Sequence, residues 1–433
     1  MKNRFWKNEH KRKQTGEGGK RWHSRRRKAM KGNRTPPARQ PAQKTIPGPR
    51  PDYQGGGIVN LMTSIIHAFD GAPSRYPPLK LLDPVSLRAT KNIVLLVIDG
   101  MGHDFLTRTG RESTLHEHLK GSMTSVFPPT TAAAITTFLT GQAPQQHGLT
   151  GWFTYFSELG TILAVLPFRP RLAGTPLGTA GIDAAEFYGH EPVFDRINAP
   201  SFVVSPGRIA YSDFNAAHAG KAGIRAYSSL AGLFRTIKDV LREGKGRQYI
   251  HAYWSELDRL AHDHGIESPE VAAHFTDIDK VFGRFLKAIK GTDTMVIVVA
   301  DHGFIDGGPD YCIELDDHPR LKETLLIPLC GERRLAYCYV HANKRKQFED
   351  YIQTELADYA QLFRSEDLIT QGYFGLGPPH PQLKARIGDY TLAMTGNYTI
   401  KDWLPGERYH VHIGSHGGLS EQEMRVPLIV VQA

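Results

Sequence analysis

Three aspartates and three histidines, spread over more than three hundred positions, are the residues of this sequence best suited to holding divalent cations. Asp99 ends the run "KNIVLLVIDG", Asp258 and His262 form a D-x-x-x-H pair in "ELDRLAHDHG", Asp301 and His302 stand together in "ADHGF", and His416 lies in "GSHGG". Carboxylate oxygen and imidazole nitrogen are donors that zinc accepts readily, with manganese as a second choice. Six such groups, none of them a thiolate, make two ligand sets. Two divalent ions about 4 Å apart can clamp the attacking and leaving oxygens of an in-line displacement at phosphorus. A nucleophile is available in "VFPPTTAAAITTFLTG" (126–141), where a proline-rigidified turn enters a helix through Thr130 and Thr131. One threonine hydroxyl can cap that helix. A hydroxyl coordinated to a cation would lose its proton at neutral pH and attack. The helix N-terminus directs free N–H groups at an incoming anion, and the small side chains of Ala132, Ala133 and Ala134 leave room for it. Each motif alone is unspecific. Asp-Gly after a strand marks a turn, and D-x-x-x-H occurs on solvated helices. The set carries the reading.

These residues need a common edge, and the elements around them supply one. "KNIVLLVIDGMG" (91–102) and "MVIVVADHGF" (295–304) are apolar runs of the kind buried on both faces of a sheet. "QYIHAYWSELD" (248–258) is a third run ending in acid, and segments 201–206 and 426–433 add two more. Helical patterns at 230–243 and 269–289 alternate with them. Alternating strands and helices imply an α/β fold with a mostly parallel central sheet sandwiched by helices. Ligands of such sheets bind outside the carboxyl ends of the strands, where Asp99, Asp258, Asp301 and His302 fall. Residues 306–413 read differently, with alternating stretches "RRLAYCYVHA" and "ARIGDYTLAMT", a helix "KRKQFEDYIQTELADYA" and a loop "GYFGLGPPHPQLK". They are expected to form an inserted α+β cap. The division is then a tail over 1–55, a catalytic core over 56–305, the cap over 306–413, and a return to the core over 414–433.

The formal charge of +9 is unevenly spread. Residues 1–51 hold 17 Lys and Arg against two Glu, whereas the remainder holds 36 against 42 Asp and Glu. The body is mildly acidic and the basicity sits in a tail poor in aliphatic residues, which predicts disorder. The tail lacks the apolar stretch of a secretory signal. Its charge suits contact with nucleic acid or an anionic membrane surface, although a merely solvated extension, or a start codon placed too far upstream, is the favoured explanation. The three cysteines, Cys312, Cys330 and Cys338, follow no metal or redox spacing and favour a reducing, cytoplasmic setting. No apolar run is long enough for a transmembrane helix.

Taken together, the motifs resemble the alkaline phosphatase superfamily, specifically its type I phosphodiesterase/nucleotide pyrophosphatase branch. In that branch the nucleophilic Thr stands nine residues before a Thr-Gly pair, followed by a Pro and a His-Gly. Here Thr131 precedes Thr140-Gly141, Pro144 and His147-Gly148 in that register, and Thr130 does not. The resemblance implies one zinc on Asp258, His262 and His416, and another on Asp99, Thr131, Asp301 and His302. It further implies attack by Thr131, a covalent phosphothreonine, and hydrolysis with net retention at phosphorus.

Two positions depart from the branch. Nucleotide pyrophosphatases follow the nucleophile with Phe-Pro-Asn, where this chain has Ala132-Ala133-Ala134. They place a phosphate-binding Asn shortly after His-Gly, where this chain reads Thr150-Gly151-Trp152. The sequence therefore points to a two-metal phosphohydrolase of phosphorylated small molecules, in first place a phosphodiesterase or pyrophosphatase. Phosphomonoesterase and phosphonate hydrolase are the alternatives, and a decayed binding protein tethered to nucleic acid by its tail is the rival of another class. Trp152 is expected to wall the pocket. His103, His251, His264, His410 and His412 are read as ordinary polar or core histidines, and Arg259 as an exposed helix residue.

Overall fold

The computed structural model describes residues 46–172 and 174–433. The basic tail, with the nucleic-acid contact expected of it, lies outside the described residues up to position 45. Ile46 and Tyr53 are buried in the body, so positions 46–55 belong to the folded part rather than to the tail.

Every position of the strand Asn92–Ile98 is buried, so its branched apolar side chains fill both faces of a sheet. It pairs in parallel with Gln248–Trp254 on one side and Thr294–Val299 on the other. Ser201–Pro206 and Gly223–Tyr227 extend the parallel ladder. Arg425–Gln432 lies antiparallel between Thr294–Val299 and Leu119–Thr124. The result is a seven-stranded, mostly parallel sheet with helices packed on it. The helix Leu230–Glu243 shows how they pack. Its buried residues Leu233, Phe234, Ile237, Val240 and Leu241 share one face, and the Ser229 hydroxyl accepts from Gly232 N to cap its start.

The chain leaves and re-enters this core side by side, because Ile305–Asp306 pairs antiparallel with Gly414–Ser415. Between them a second seven-stranded sheet forms, with Cys330–Gly331, Leu335–Cys338, Ala360–Arg364 and Tyr390–Met394 from the insertion. Its other strands, Phe153–Phe156, Thr161–Ala164 and Arg169–Pro170, come from positions assigned above to the core. The join is the pairing of Gly331 with Phe153. A hairpin alone leaves an open edge of unpaired N–H and C=O groups, and the insertion satisfies that edge. Residues 46–433 form one compact unit, so the insertion is not a separate domain. Arg334 of the insertion and Glu423 of the returning segment are both buried and paired at 3.0 Å, which ties the cap to the loop carrying His416.

Candidate active site

Three adjacent strands end in acids at one edge of the central sheet. Asp99 directly follows Asn92–Ile98, and its N–H donates to Trp254 O at 2.9 Å. Asp301 lies two residues beyond Thr294–Val299, and Asp258 stands in the first turn of the helix Glu256–His264, just after Gln248–Trp254. Gly100 permits this convergence. It has φ +74°, and a Cβ there would meet the Phe304 ring at 2.4 Å. Its N–H donates to Asp301 Oδ1 at 3.1 Å, which orients that carboxylate.

The structure brings all seven expected residues together. His302 Nε2 lies 3.3 Å from Asp99 Oδ1, 3.4 Å from Asp301 Oδ2 and 3.2 Å from Thr131 Oγ1. His262 Nε2 and His416 Nε2 lie 3.4 and 3.7 Å from Asp258 Oδ1. The His302 and His416 rings stack with centroids 3.6 Å apart. Donor atoms of Asp99, Asp301 and His302, and likewise of Asp258, His302 and His416, all lie within 4.8 Å of one another. His302 therefore stands between the two carboxylate groups, whereas the family pattern assigns it to only one.

The donor chemistry fits divalent cations. Each imidazole aims Nδ1 at a backbone carbonyl, His262 at Gly414 O (2.9 Å), His302 at Gly303 O (3.1 Å) and His416 at Pro129 O (3.4 Å). With the proton on Nδ1, each Nε2 presents a lone pair to the carboxylates, the orientation metal-ligating histidines adopt. Asp99 Oδ1, Asp258 Oδ1 and Asp301 Oδ2 are buried and have no hydrogen-bond partner among the described residues. Burial, reinforced by the neighbouring carboxylates, holds Asp99 and Asp258 well above the usual carboxylate range. Burial also lowers His302 and His416, and takes His262 down to about 4. Lone pairs facing carboxylate oxygens at these distances repel one another unless a cation or a proton lies between them.

Thr131 begins the ten-residue helix Thr131–Thr140, which ends on Gly141 in the left-handed conformation. Thr130 occupies the N-cap position, yet its side chain makes no capping bond. Its hydroxyl donates instead to Glu332 Oε1 at 2.5 Å, which overturns the capping role one threonine was expected to have. Glu332 Oε1 also accepts from Trp152 N at 2.6 Å. Burial raises the Glu332 carboxyl to about 7.

Two clefts meet at Thr131. One, of about 470 Å³, reaches Glu332, Arg333, Lys401 and Trp403 of the insertion. The other, of about 610 Å³, is lined by Ile135, Leu139, Leu166, Val203 and Phe214, with Asn215 and His251. Thr131, Trp152, Asp258, His262 and His412 line both, so Trp152 is the wall expected of it. Arg259 is spent on Glu256 and Asp263 at 2.6 and 2.7 Å. His410 pairs with Asp263 at 3.3 Å, His264 is exposed, His103 begins the helix His103–Arg108, and His251 is buried. His412 is the exception among the histidines read as ordinary, since its ring lies 4.1 Å from that of His262.

Three further residues that the structure places at the site have no motif. The Tyr253 hydroxyl donates to Asp99 Oδ2. Its only sequence signal is its place near the carboxyl end of a strand that leads into acid. Glu332 and Arg333 stand in "CGERRLAY", which gives no hint of proximity to Thr130.

The solved structures to which the chain is similar have related folds. The murine ectonucleotide pyrophosphatase/phosphodiesterase 5 shares 18% identity at a TM-score of 0.56, over 78% of this chain and 87% of that one. The human protein of the same name gives 17% and 0.56, with the same coverage. Phosphonoacetate hydrolase from Sinorhizobium meliloti, in complex with phosphonoformate, gives 18% and 0.55, over 79% and 90%. No curated protein matches by sequence. Residues 93–418 match the family described as type I phosphodiesterase / nucleotide pyrophosphatase, a span that includes all seven expected site residues, so the chain belongs to this family.

Proposed function

We propose that the chain is a two-metal phosphohydrolase of small phosphorylated molecules, acting on diesters or pyrophosphates through a covalent phosphothreonine at Thr131. Membership of the family supports the reaction class, a phosphoric ester hydrolase. The observation that carries the finer reading is the cage of partnerless carboxylate oxygens and imidazole Nε2 atoms beside the Thr131 hydroxyl. Asp99, Thr131, Asp301 and His302 would hold one ion and Asp258, His262 and His416 the other, with zinc favoured and manganese second. When bound, the pair supplies positive charge to the attacking and leaving oxygens.

The chain's own residues do the rest. Thr131 Oγ1 would form the new bond to phosphorus as the bond to the leaving oxygen breaks, its proton passing to the leaving oxygen; water would then cleave the Oγ1–phosphorus bond, its hydroxyl going to phosphorus and its proton to threonine. The N–H groups of the first turn of Thr131–Thr140 orient the anion. Glu332 holds Thr130 and the Trp152 backbone, and so fixes the turn that presents the nucleophile. The two clefts favour a substrate with substituents on both sides of phosphorus, since a monoester or a simple phosphonate would leave one of them unused. The three free thiols support a reducing, cytoplasmic setting. Among the described residues, no helix is long and apolar enough to cross a membrane.

The test is elemental analysis together with hydrolysis of bis-p-nitrophenyl phosphate and p-nitrophenyl phosphate. Bound zinc or manganese and faster turnover of the diester are expected. Thr131→Ala should keep the metals and lose activity by about a thousandfold or more, as removal of a catalytic nucleophile does. Thr130→Ala should be mild. A protein that binds no metal and turns over neither compound would instead be a binding module.

A further inference from the structure

Two neighbouring arginines that follow Cys330–Gly331 are used differently. Arg334 is buried, and its guanidinium meets both oxygens of Glu423 at 3.1 and 3.0 Å. Arg333 lines the cleft that reaches the insertion. Among the described residues no carboxylate oxygen lies within 4.0 Å of its guanidinium. Its one hydrogen bond goes to His410 O at 3.0 Å, and its guanidinium carbon lies 5.4 Å from the Trp403 ring centroid. A guanidinium carries five N–H donors in a fixed fork, so most of those of Arg333 remain unspent.

The other cations of the same wall are matched. Arg171 pairs with Asp402 at 2.7 Å and Glu407 at 2.8 Å, and Lys401 pairs with Glu407 at 2.9 Å. Glu332, next in sequence, is committed to Thr130 and Trp152. Arg408 at the rim is exposed and can stay hydrated. Arg333 is half-buried, in the cleft that also exposes Thr131, Asp258 and His416. A cation withdrawn from water calls for an anionic partner, and an arginine fork grips carboxylate or phosphoryl oxygens two at a time.

We infer that Arg333 selects substrates carrying a second anionic group, a carboxylate or a further phosphoryl group, on the substituent that enters the cleft beside Trp403. The inference rests on the phosphohydrolase reading and narrows its substrate class to esters or anhydrides with a charge beyond that of the reacting phosphorus. Arg333 sets specificity and does not touch the reacting atoms.

Calorimetry on the full, zinc-loaded chain tests this with phenylphosphonate, 3-carboxyphenylphosphonate and 4-carboxyphenylphosphonate, which contain no ester to hydrolyse. In the wild type at least one carboxylated compound should bind about tenfold or more tightly than phenylphosphonate, as expected of a charge-assisted bidentate contact. Arg333→Gln should bring that ratio close to one, and Arg333→Lys should retain part of it. A wild-type ratio near one, or a ratio that survives in Arg333→Gln, overturns the role of Arg333 while leaving the phosphohydrolase reading intact. If none of the three compounds binds, the phosphoryl site itself is wrong and both readings fall.

Discussion

Replacing Tyr253 with Phe removes one oxygen and asks how much a single hydrogen bond does for the metal cage. Among the described residues the Tyr253 hydroxyl is the only hydrogen-bond donor to the Asp99 side chain, and Asp99 Oδ1 accepts no hydrogen bond. Burial keeps the phenol protonated, so it always donates. The aromatic ring is unchanged, which leaves the packing of the Gln248–Trp254 strand in place. A hydrogen bond to a buried charged group contributes about 1.5–3 kcal/mol. If all of that bears on the ionised, ion-binding carboxylate, affinity at the Asp99 position falls roughly 10- to 150-fold, at 1.4 kcal/mol for each factor of ten. That range overlaps the losses of about 10–100-fold seen when partners of metal ligands are removed. The assay is competition for zinc with a chromophoric chelator, with urea unfolding of the metal-free protein beside it. One ion should weaken by the stated factor while the other changes by less than about threefold, since His262 and His416 keep their contacts with Gly414 O and Pro129 O. Wild-type affinity for both ions in a folded Tyr253→Phe protein would refute the reasoning. So would a loss that appears only as lower stability of the metal-free chain, because the hydroxyl would then be structural.

Three further outcomes follow from particular contacts. Arg334→Met leaves the buried Glu423 carboxylate without its guanidinium, and removal of one member of such a pair costs about 3–5 kcal/mol. Urea unfolding should show it, and a loss below about 1 kcal/mol would mean that water or Ser420 takes over. Stability should also depend on pH through His218, which is buried against Phe214 and lowered by burial from 6.5 to about 4. The unfolded chain binds the proton first, so this contribution is present above pH 6.5 and lost as pH falls towards 4, at up to about 1.4 kcal/mol per unit. His218→Gln should flatten the slope of unfolding free energy against pH in that window, and an unchanged slope would assign the effect to other groups. Finally, removing the metals with a chelator should lower the melting temperature, because the ions bind only the folded cage. An unchanged melting temperature would contradict the ligand assignment.

The core strands could be read because burial on both faces leaves a local signature. "NIVLLVI" has no polar side chain between Asn92 and Asp99, and every residue of that strand is buried. The acids that stop the three runs could be read for the same reason, since a charge ends a run of this kind. The strands Phe153–Phe156 and Thr161–Ala164 extend the sheet of the insertion, which their own sequence does not show. They pair with each other as a local hairpin, but the partner that joins them to the insertion, Gly331 opposite Phe153, lies far along the chain and leaves no trace near them. The N-cap at Thr130 shows the same limit. Its residue type suits a cap, but the hydroxyl goes to Glu332, about two hundred positions away.

By itself, then, the sequence determined the α/β core and the six candidate donors Asp99, Asp258, His262, Asp301, His302 and His416, because each rests on neighbours within one strand, turn or helix, whereas the choice of Thr131 over Thr130 came from the resemblance to the family. Tertiary structure alone decided that His302 stands between the two carboxylate groups, that Tyr253 serves Asp99, and that Arg334 is neutralised while Arg333 is not. Those outcomes depend on side-chain contacts between residues that can be hundreds of positions apart. Electrostatic pairing and desolvation act at such contacts, and only the folded chain sets them.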